Sequence, residues 1–318
     1  MSEVTQFTPP HPLNTAVLFL VFNRLDTTKQ VFEAIRQAKP PRLYVAADGV
    51  RANKEGEAEK AQAVRDYVMQ HIDWECEVKT LFRDQNLGCK YAVSGAITWF
   101  FENEEQGIIL EDDCLPSQSF FWYCEVLLAK YRDDESVYLI SGDSRGSESV
   151  RMKGDYGFCK YPMIWGWASW AGAWKNYDPE LLDWPKQRET LPSSISSYKP
   201  TVNFWRNIFE RMYNKEIDTW DYQFSYLLQK NGGKCIVPKV SLITNIGFGA
   251  DATHTFSAES EAANRKRYEI NIPLIHGPDL ESEKKINDFY DRSEFSSKPF
   301  IFRAINKLAR LTIRKNIL

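Results

Sequence analysis

The sequence predicts an α/β fold in which helices flank a mostly parallel central sheet. Through the first half of the 318 residues, short apolar runs rich in β-branched residues alternate with helical patterns, which is typical of strand–helix–strand units. Polar residues follow these runs, at the edge where an open parallel sheet binds its ligands. A hydrophobic content of 43% is enough for a well-buried core and excludes a disordered chain.

The first strand is predicted at 16–22 (AVLFLVF), and Asp26 or Thr27 is expected to cap the helix that follows it. The later elements of this half are a strand at 42–48, a helix that ends near His71, a strand at 76–82, a helix that ends near Phe101 and a strand at 107–113. Together they form a series of consecutive strand–helix units, as a nucleotide-binding type of sheet requires.

The charge balance excludes one class of partner. With 40 basic and 43 acidic side chains the formal net charge is −3, so the chain lacks the positive field expected of a nucleic-acid-binding protein. No apolar run approaches the roughly 18 residues of a membrane span, and the N-terminal residues do not resemble a signal peptide. We therefore predict a cytoplasmic protein. Its six scattered cysteines include no CxxC pair, which favours reduced thiols over disulfides or a zinc site.

The second half is less regular and carries seven of the ten tryptophans. Aromatic side chains at this density suit the faces of sugars, although any single tryptophan can instead be a core residue. The tail at 300–318 has apolar residues at helical spacing between basic ones and predicts an amphipathic helix. Such a helix either lies on an anionic membrane surface or docks on protein, and the sequence leaves both open.

An acidic triplet, Glu111–Asp112–Asp113, ends the strand at 107–113. Three neighbouring carboxylates repel one another unless something compensates their charge. A divalent cation such as Mg²⁺ or Mn²⁺ does so, and it can bind a diphosphate at the same time. The alternative is a capping cluster for the helix that follows.

Several segments together resemble a known family. They are AVLFLVFNR, YVAADG, DQNLGCKYAV and GIILEDDCLPSQSFF, followed by YPMIWGWASWAGAWKNYD, TWDYQF and NIGFGADATHTF. The chain resembles nucleotide-sugar glycosyltransferases of the GT-A (Rossmann-like) fold, and it is similar in particular to the N-acetylglucosaminyltransferase I family and to bacterial family 2-like glycosyltransferases. The resemblance implies one domain at 14–257, with a nucleotide-binding half at 14–115 and an acceptor half at 116–257, and a C-terminal extension at 258–318.

The resemblance also implies roles for individual residues. Donor-binding roles fall on Arg24, Asp48, Asn86, Lys90, Glu111 and Asp112, and metal-binding roles on Asp113 and His254. Among the donor-binding residues, Arg24 is expected to face the nucleotide or its phosphates, Asp48 to accept hydrogen bonds from the base and Lys90 to contact phosphate. The catalytic base is expected at Asp221, with Asp218 in reserve, and a wall of the sugar site at Asp143, Trp165 and Trp167. Other interpretations stay open from the residues themselves: an ion pair for Arg24, a turn for Asp48, a solvated Lys90, a surface-loop His254, helix caps for Asp218 and Asp221, and core packing for the tryptophans.

These observations predict a metal-dependent, inverting glycosyltransferase that uses Mn²⁺ or Mg²⁺ and a nucleotide-sugar donor, with UDP favoured. The expected acceptor is a glycan or lipid-linked glycan in bacterial cell-surface polysaccharide or lipopolysaccharide synthesis. Localisation is expected to be cytoplasmic, or peripheral at the inner face of the membrane through the tail. The alternative is a non-catalytic nucleotide-sugar or glycan binding protein on the same fold. A nucleotidyltransferase is disfavoured because no glycine-rich, lysine-containing phosphate loop follows the first strand.

Overall fold

A computed structural model describes residues 7–247 and 265–296 of the chain. The first half alternates strands and helices as predicted. Its elements are β1 (Val17–Val21), α1 (Leu25–Ala38), β2 (Arg42–Ala47), α2 (Glu57–Gln70), β3 (Glu77–Phe82), α3 (Gly88–Asn103) and β4 (Gln106–Glu111). The strand and helix boundaries lie within two residues of the predicted ones, because each element carries its own hydrophobic period.

The second half mixes short strands with helices. Its strands are β5 (Cys114–Pro116), β6 (Val137–Ser141), β7 (Tyr156–Cys159), β8 (Trp167–Trp170), β9 (Lys234–Pro238) and β10 (Ile243–Asn245). Its helices are α4 (Ser119–Lys130), α5 (Ala171–Trp174), α6 (Trp184–Gln187), α7 (Leu191–Ile195), α8 (Lys199–Tyr213), α9 (Asp221–Lys230) and α10 (Leu280–Ser293). None of the helices within the described residues is long and apolar enough to cross a membrane.

The central sheet has eight strands in the order β3-β2-β1-β4-β8-β6-β9-β7. All of them run parallel except β8 and β7, which pair antiparallel with their neighbours. This confirms the predicted α/β class with a mostly parallel sheet and is consistent with a GT-A fold. From β1 the chain proceeds to β2 and β3 on one side and to β4 on the other, so the strand order reverses between β1 and β4. Ligands of open α/β sheets bind at the carboxyl ends of the strands beside such a reversal.

The two faces of the sheet are covered by different layers. In β1, Val17, Phe19 and Val21 pack into one hydrophobic cluster with α1 and α4, whereas Leu18 and Leu20 pack into a second cluster with α3 and α8–α10. All five residues of this strand are buried, as expected for a strand with helices on both faces. The sheet is thus a rigid platform for the loops at its edge.

Three features differ from the sequence predictions. Helix α1 begins without a side-chain cap, since neither Asp26 nor Thr27 fills that role and the N-cap residue is Arg24. Strand β4 ends at Glu111, so the other two acidic residues of the triplet lie in the turn after it. Helix α10, which the sequence analysis did not predict, packs against β7 and buries Ile286 and Tyr290 in the second core cluster. The predicted helix at 300–318 lies outside the described residues.

The cysteines agree with the expectation of reduced thiols. All six are free, and four of them are buried: Cys114, Cys124, Cys159 and Cys235.

Candidate active site

The backbone of the acidic triplet is held in place by pairing between strands that are distant in the sequence, β1 with β4 and β5 with β10. Glu111 lies opposite Leu20 of β1 in the parallel register. After the turn, β5 pairs antiparallel with β10, and the Ile246 backbone N–H donates to the Asp113 carbonyl oxygen at 2.8 Å. The Asn245 amide also lies 3.4 Å from Oδ1 of Asp113. The triplet is therefore held at the carboxyl ends of β1 and β4, beside the reversal of strand order.

Arg24 bridges the two aspartates of the triplet. Its Nη2 lies 2.6 Å from Oδ1 of Asp112 and 2.9 Å from Oδ2 of Asp113. Burial lowers the pKa of the guanidinium, but the charges of the two carboxylates outweigh this effect and raise the pKa overall. Arg24 therefore lies at the carboxyl end of β1, where a donor-binding role was expected for it, and it forms an ion pair there with the acidic triplet.

Negative charge still exceeds positive charge at this point. Burial, followed by the charges of Asp113, Asp112 and Asp221, raises the pKa of Glu111. Burial also raises the pKa of Asp112, against the attraction of Arg24. The Oδ2 atom of Asp112 is buried, and no hydrogen-bond partner contacts it in the described part of the chain. The three carboxylates of the triplet thus lie near one guanidinium, which forms ion pairs with two of them.

This donor set fits a hard divalent cation. Within residues 7–247 and 265–296 there is no group of three or more His, Cys, Asp or Glu side chains that could by itself hold a metal ion. Mg²⁺-type cations need no such cage, since one or two carboxylates, phosphate oxygens and water complete their shell. Asp113 and Asp112 are the residues whose carboxylates could contribute to such a shell, and both are paired with Arg24. His254, the other predicted ligand, lies outside the described residues.

Asp48 anchors a loop. Its carboxylate accepts the backbone N–H groups of Leu87 and Gly88 at 3.0 and 3.1 Å and the Asn86 amide at 2.9 Å. Asn86 also donates to the Gly49 carbonyl oxygen at 2.8 Å. The prediction had Asp48 accepting hydrogen bonds from the base of the nucleotide. In the structure these donors come from the loop between β3 and α3, because that loop folds over the end of β2.

Lys90 is directed away from the phosphate position that was predicted for it. Its side chain is 7% exposed, and Nζ lies 2.8 Å from Glu180 Oε1. Glu180 also contacts the Tyr91 hydroxyl and, at 3.0 Å, Lys215 Nζ. The hydrogen bonds from Lys90 and Tyr91 lower the pKa of Glu180 to about 2. In this structure the lysine contacts neither phosphate nor bulk solvent. Its position in the first turn of α3 directs the side chain to Glu180, in the segment between α5 and α6.

The two candidate bases have different partners. Asp218 accepts the backbone N–H groups of Cys89 and Lys90 at 3.1 and 3.0 Å, so both of its oxygens cap the first turn of α3. Asp221 is the first residue of α9. Its Oδ1 accepts the Thr219 hydroxyl, and its charge acts on Glu111. Asp221 is thus within electrostatic reach of Glu111 in the acidic triplet, whereas Asp218 is engaged by the backbone of α3.

Helix α9 is fixed by its apolar face. Phe224 and Leu228 are fully buried and Leu227 nearly so, which confirms the buried face that the sequence predicts. At the start of the helix the Trp220 ring stacks on Trp167, with the ring centroids 5.7 Å apart and the planes at 19°. The stacking of Trp220 on Trp167 therefore fixes the backbone next to Asp221 and so positions its side chain.

The predicted sugar wall is only partly present. Trp167 is 0% exposed and is a core residue of β8, so its assignment to the wall was wrong: all four residues of this strand are buried, because both faces of the central sheet are covered. Asp143 is 2% exposed and accepts the backbone N–H of Arg145 at 2.8 Å, so it supports a neighbouring residue and does not itself form a wall. Trp165 is half-buried in the bend that precedes β8, where it packs against the first hydrophobic cluster.

Two residues near the site were missed by the sequence analysis. The Arg145 guanidinium lies 4.5 Å from the centre of the Trp165 ring, and its signal in the sequence is the turn pattern Gly-Asp-Ser-Arg-Gly after an apolar strand. Gly247 lies against the ion pair of the triplet: an added Cβ would be 2.2 Å from Oδ2 of Asp113 and 2.7 Å from Nη1 of Arg24. In the sequence, the only indication of this contact is the glycine itself, because a residue without a side chain lets the backbone lie close to other groups.

Comparisons with solved structures find partial likenesses at low identity. The galactosyltransferase LgtC, solved in complex with donor and acceptor sugar analogues, is 13% identical with a TM-score of 0.34, over 69% of this chain and 72% of that chain. A UDP-glucose pyrophosphorylase complexed with UDP-glucose is 11% identical with a TM-score of 0.35, over 71% and 90%. Mouse xyloside xylosyltransferase 1 is 9% identical with a TM-score of 0.32, over 67% and 80%. No protein-family model and no curated protein match the sequence. At these TM-scores the likeness carries no argument about activity, and the specific resemblance to N-acetylglucosaminyltransferase I stays a prediction.

Proposed function

We propose that the chain is a metal-dependent, inverting glycosyltransferase that uses a nucleotide-sugar donor, with a UDP-linked donor favoured. The main support is the clustering of Glu111, Asp112 and Asp113 beside Arg24, at the reversal of strand order where open sheets bind nucleotides. The proposed acceptor is a glycan or lipid-linked glycan of the bacterial cell surface, which rests on the resemblance of the sequence to bacterial glycosyltransferases.

The diphosphate of the donor is the part that this site fits best. A divalent cation bound there would stabilise the charge that develops on the departing nucleoside diphosphate. Asp113 would hold the ion, and the half-buried Glu111, whose pKa is raised by burial and neighbouring charge, is proposed to contact the ribose. The loop that Asp48 and Asn86 hold together forms the adjoining wall of the nucleotide site.

Asp221 is the proposed general base. As the acceptor hydroxyl oxygen forms its bond to the anomeric carbon, the bond from that carbon to the diphosphate breaks and the hydroxyl proton passes to the carboxylate. The Thr219 hydroxyl already donates to Oδ1, which orients the carboxylate. Attack from the face opposite the leaving group inverts the anomeric configuration, and a product with retained configuration would contradict this role.

Metal-dependent nucleotide binding tests the proposal. Isothermal titration with UDP and GDP, with and without Mn²⁺, is expected to show that one nucleotide binds tightly only with the metal. Asp113→Ala should weaken that binding at least about 100-fold, because loss of groups that merely support a metal ligand already costs about 10–100-fold.

The matched control is Asp73→Ala, which removes an exposed carboxylate that pairs with Arg36 away from the site and should leave binding unchanged. If neither nucleotide binds to the unmodified protein with Mn²⁺, the proposal fails. If a nucleotide binds but its sugar derivatives are neither hydrolysed nor transferred, the chain is the non-catalytic binding protein.

Gly247→Ala is expected to weaken the same metal-dependent binding by about 10-fold or more, since a misplacement of 1 Å at such a site can cost about 100-fold. The added methyl group would displace the Asp113 carboxylate and Arg24. Gly172→Ala is the control, because no heavy atom lies within 4 Å of its added Cβ. Equal nucleotide affinities for the two variants would contradict the prediction.

A further inference from the structure

We propose that Arg24 is an internal counter-ion that occupies the acidic triplet in the absence of donor and transfers to the donor's diphosphate when a divalent cation enters. This inference rests on the proposed function and adds a coupling to it. The cation and the nucleotide diphosphate then bind as one unit, and the cation by itself binds weakly.

The geometry of the ion pair supports the first half of this exchange. Of the three guanidinium nitrogens, only Nη2 donates hydrogen bonds to residues of the described chain, and it contacts both Asp112 and Asp113. A cation that takes Oδ1 of Asp112 or Oδ2 of Asp113, the two oxygens that Nη2 contacts, competes directly with this nitrogen. Arg24 must therefore leave at least one carboxylate before the metal is bound.

The charge balance supports the second half. A guanidinium and a divalent cation repel each other. The binding of the cation in the absence of nucleotide is therefore weakened in two ways: the ion pairs of Arg24 must break, and the displaced guanidinium remains near the cation. A diphosphate removes this penalty because it offers new acceptors to the displaced guanidinium, for which bidentate phosphate contacts are favourable. Among the described residues only Nη2 has hydrogen-bond acceptors, and in the proposed exchange the guanidinium nitrogens donate to phosphate oxygens in place of the two aspartates.

The backbone at Arg24 is fixed, so the exchange requires only a side-chain movement. The Arg24 carbonyl oxygen accepts the Thr28 hydroxyl at 2.6 Å and the Thr28 backbone N–H at 3.0 Å. These bonds hold the residue at the start of α1. The guanidinium itself is partly exposed, with 21% of the side chain accessible. Its side chain can thus change rotamer from the acidic triplet to a ligand above the strand ends without rearrangement of the fold.

Mn²⁺ binding, followed by the EPR signal of the free ion, tests the exchange without any catalytic readout. The proteins compared are the unmodified chain, Arg24→Met and Arg24→Lys, each with and without UDP. We expect Arg24→Met to bind Mn²⁺ alone about 10-fold more tightly, since the competing charge is gone. UDP should tighten Mn²⁺ binding to the unmodified chain within the roughly 5–150-fold range of coupled ligands. This gain should be several-fold smaller in Arg24→Met, where only the direct contact between the ion and the diphosphate remains. Arg24→Lys retains the charge and should bind Mn²⁺ alone like the unmodified chain.

The control is Arg42→Met, which removes a guanidinium paired with Glu104 at 2.7 Å, at the amino end of β2 on the opposite edge of the sheet. It should change neither affinity. Melting curves of each variant exclude unfolding as the cause.

An Mn²⁺ affinity that is unchanged or weaker in Arg24→Met overturns the proposal, and so does a coupling to UDP that is as large in Arg24→Met as in the unmodified chain. Absence of Mn²⁺ binding to both proteins overturns it as well. If only UDP fails to bind to the unmodified chain, the proposed function and the transfer to the diphosphate both fail, whereas the Mn²⁺ titrations alone still decide whether Arg24 is the counter-ion.

Discussion

Asp221→Asn is expected to lower the rate of sugar transfer by about 10²–10⁴-fold while metal-dependent nucleotide binding stays within about 2-fold of the original. The amide retains the size of the carboxylate and can still accept the Thr219 hydroxyl, but it cannot take up the acceptor proton. The loss should therefore appear in the maximal rate and not in the affinity for the donor. Single-turnover transfer, measured alongside calorimetric titration of the nucleotide, separates the two quantities.

Asp218→Asn is the matched control for this experiment. Both oxygens of Asp218 accept backbone N–H groups at the start of α3, and an amide offers only one acceptor oxygen, so the substitution should cost about 0.5–1.5 kcal/mol of stability, the net contribution of one hydrogen bond, with a smaller effect on the rate. A transfer rate that falls in Asp218→Asn at unchanged stability, while Asp221→Asn stays active, would assign the base to Asp218.

Trp167→Ala is expected to lower the free energy of unfolding by about 3–5 kcal/mol. The ring is completely buried and contacts Trp220, Trp174 and Phe224, so its removal leaves a large cavity beneath α9. Urea unfolding measures the effect through the change in midpoint at constant slope.

Trp165→Ala provides the comparison at a distance of two residues in the chain. This ring is half-buried and lies under the Arg145 guanidinium, so we expect a loss of about 1 kcal/mol or less, since cation–π contacts at partly exposed sites contribute about 0.5–1 kcal/mol. Equal stabilities of the two variants would show that Trp167 is not the core residue described above.

The polar partners of the site could not have been predicted from local pattern. Arg24 and Asp112 are 88 positions apart in the chain, and Lys90 and Glu180 are 90 apart. The ion pair of Arg24 with a carboxylate depends on the parallel pairing of β1 with β4. The contact of Lys90 with phosphate or with another group depends on the rotation of α3 about its own axis. Periodicity specifies which face of a helix is apolar, but it does not specify which charged residue of a distant loop lies opposite.

The sequence by itself determined the strands and helices of the first half, the position of the acidic triplet at a strand end and the buried face of α9, because each follows from a period or a breaker within a few residues. Only the tertiary structure decided that Arg24 neutralises the triplet, that Asp218 caps α3, and that Trp165 and Trp167 have opposite environments. The physical reason is that these outcomes depend on sheet register and helix rotation, which the packing of the whole core sets at once.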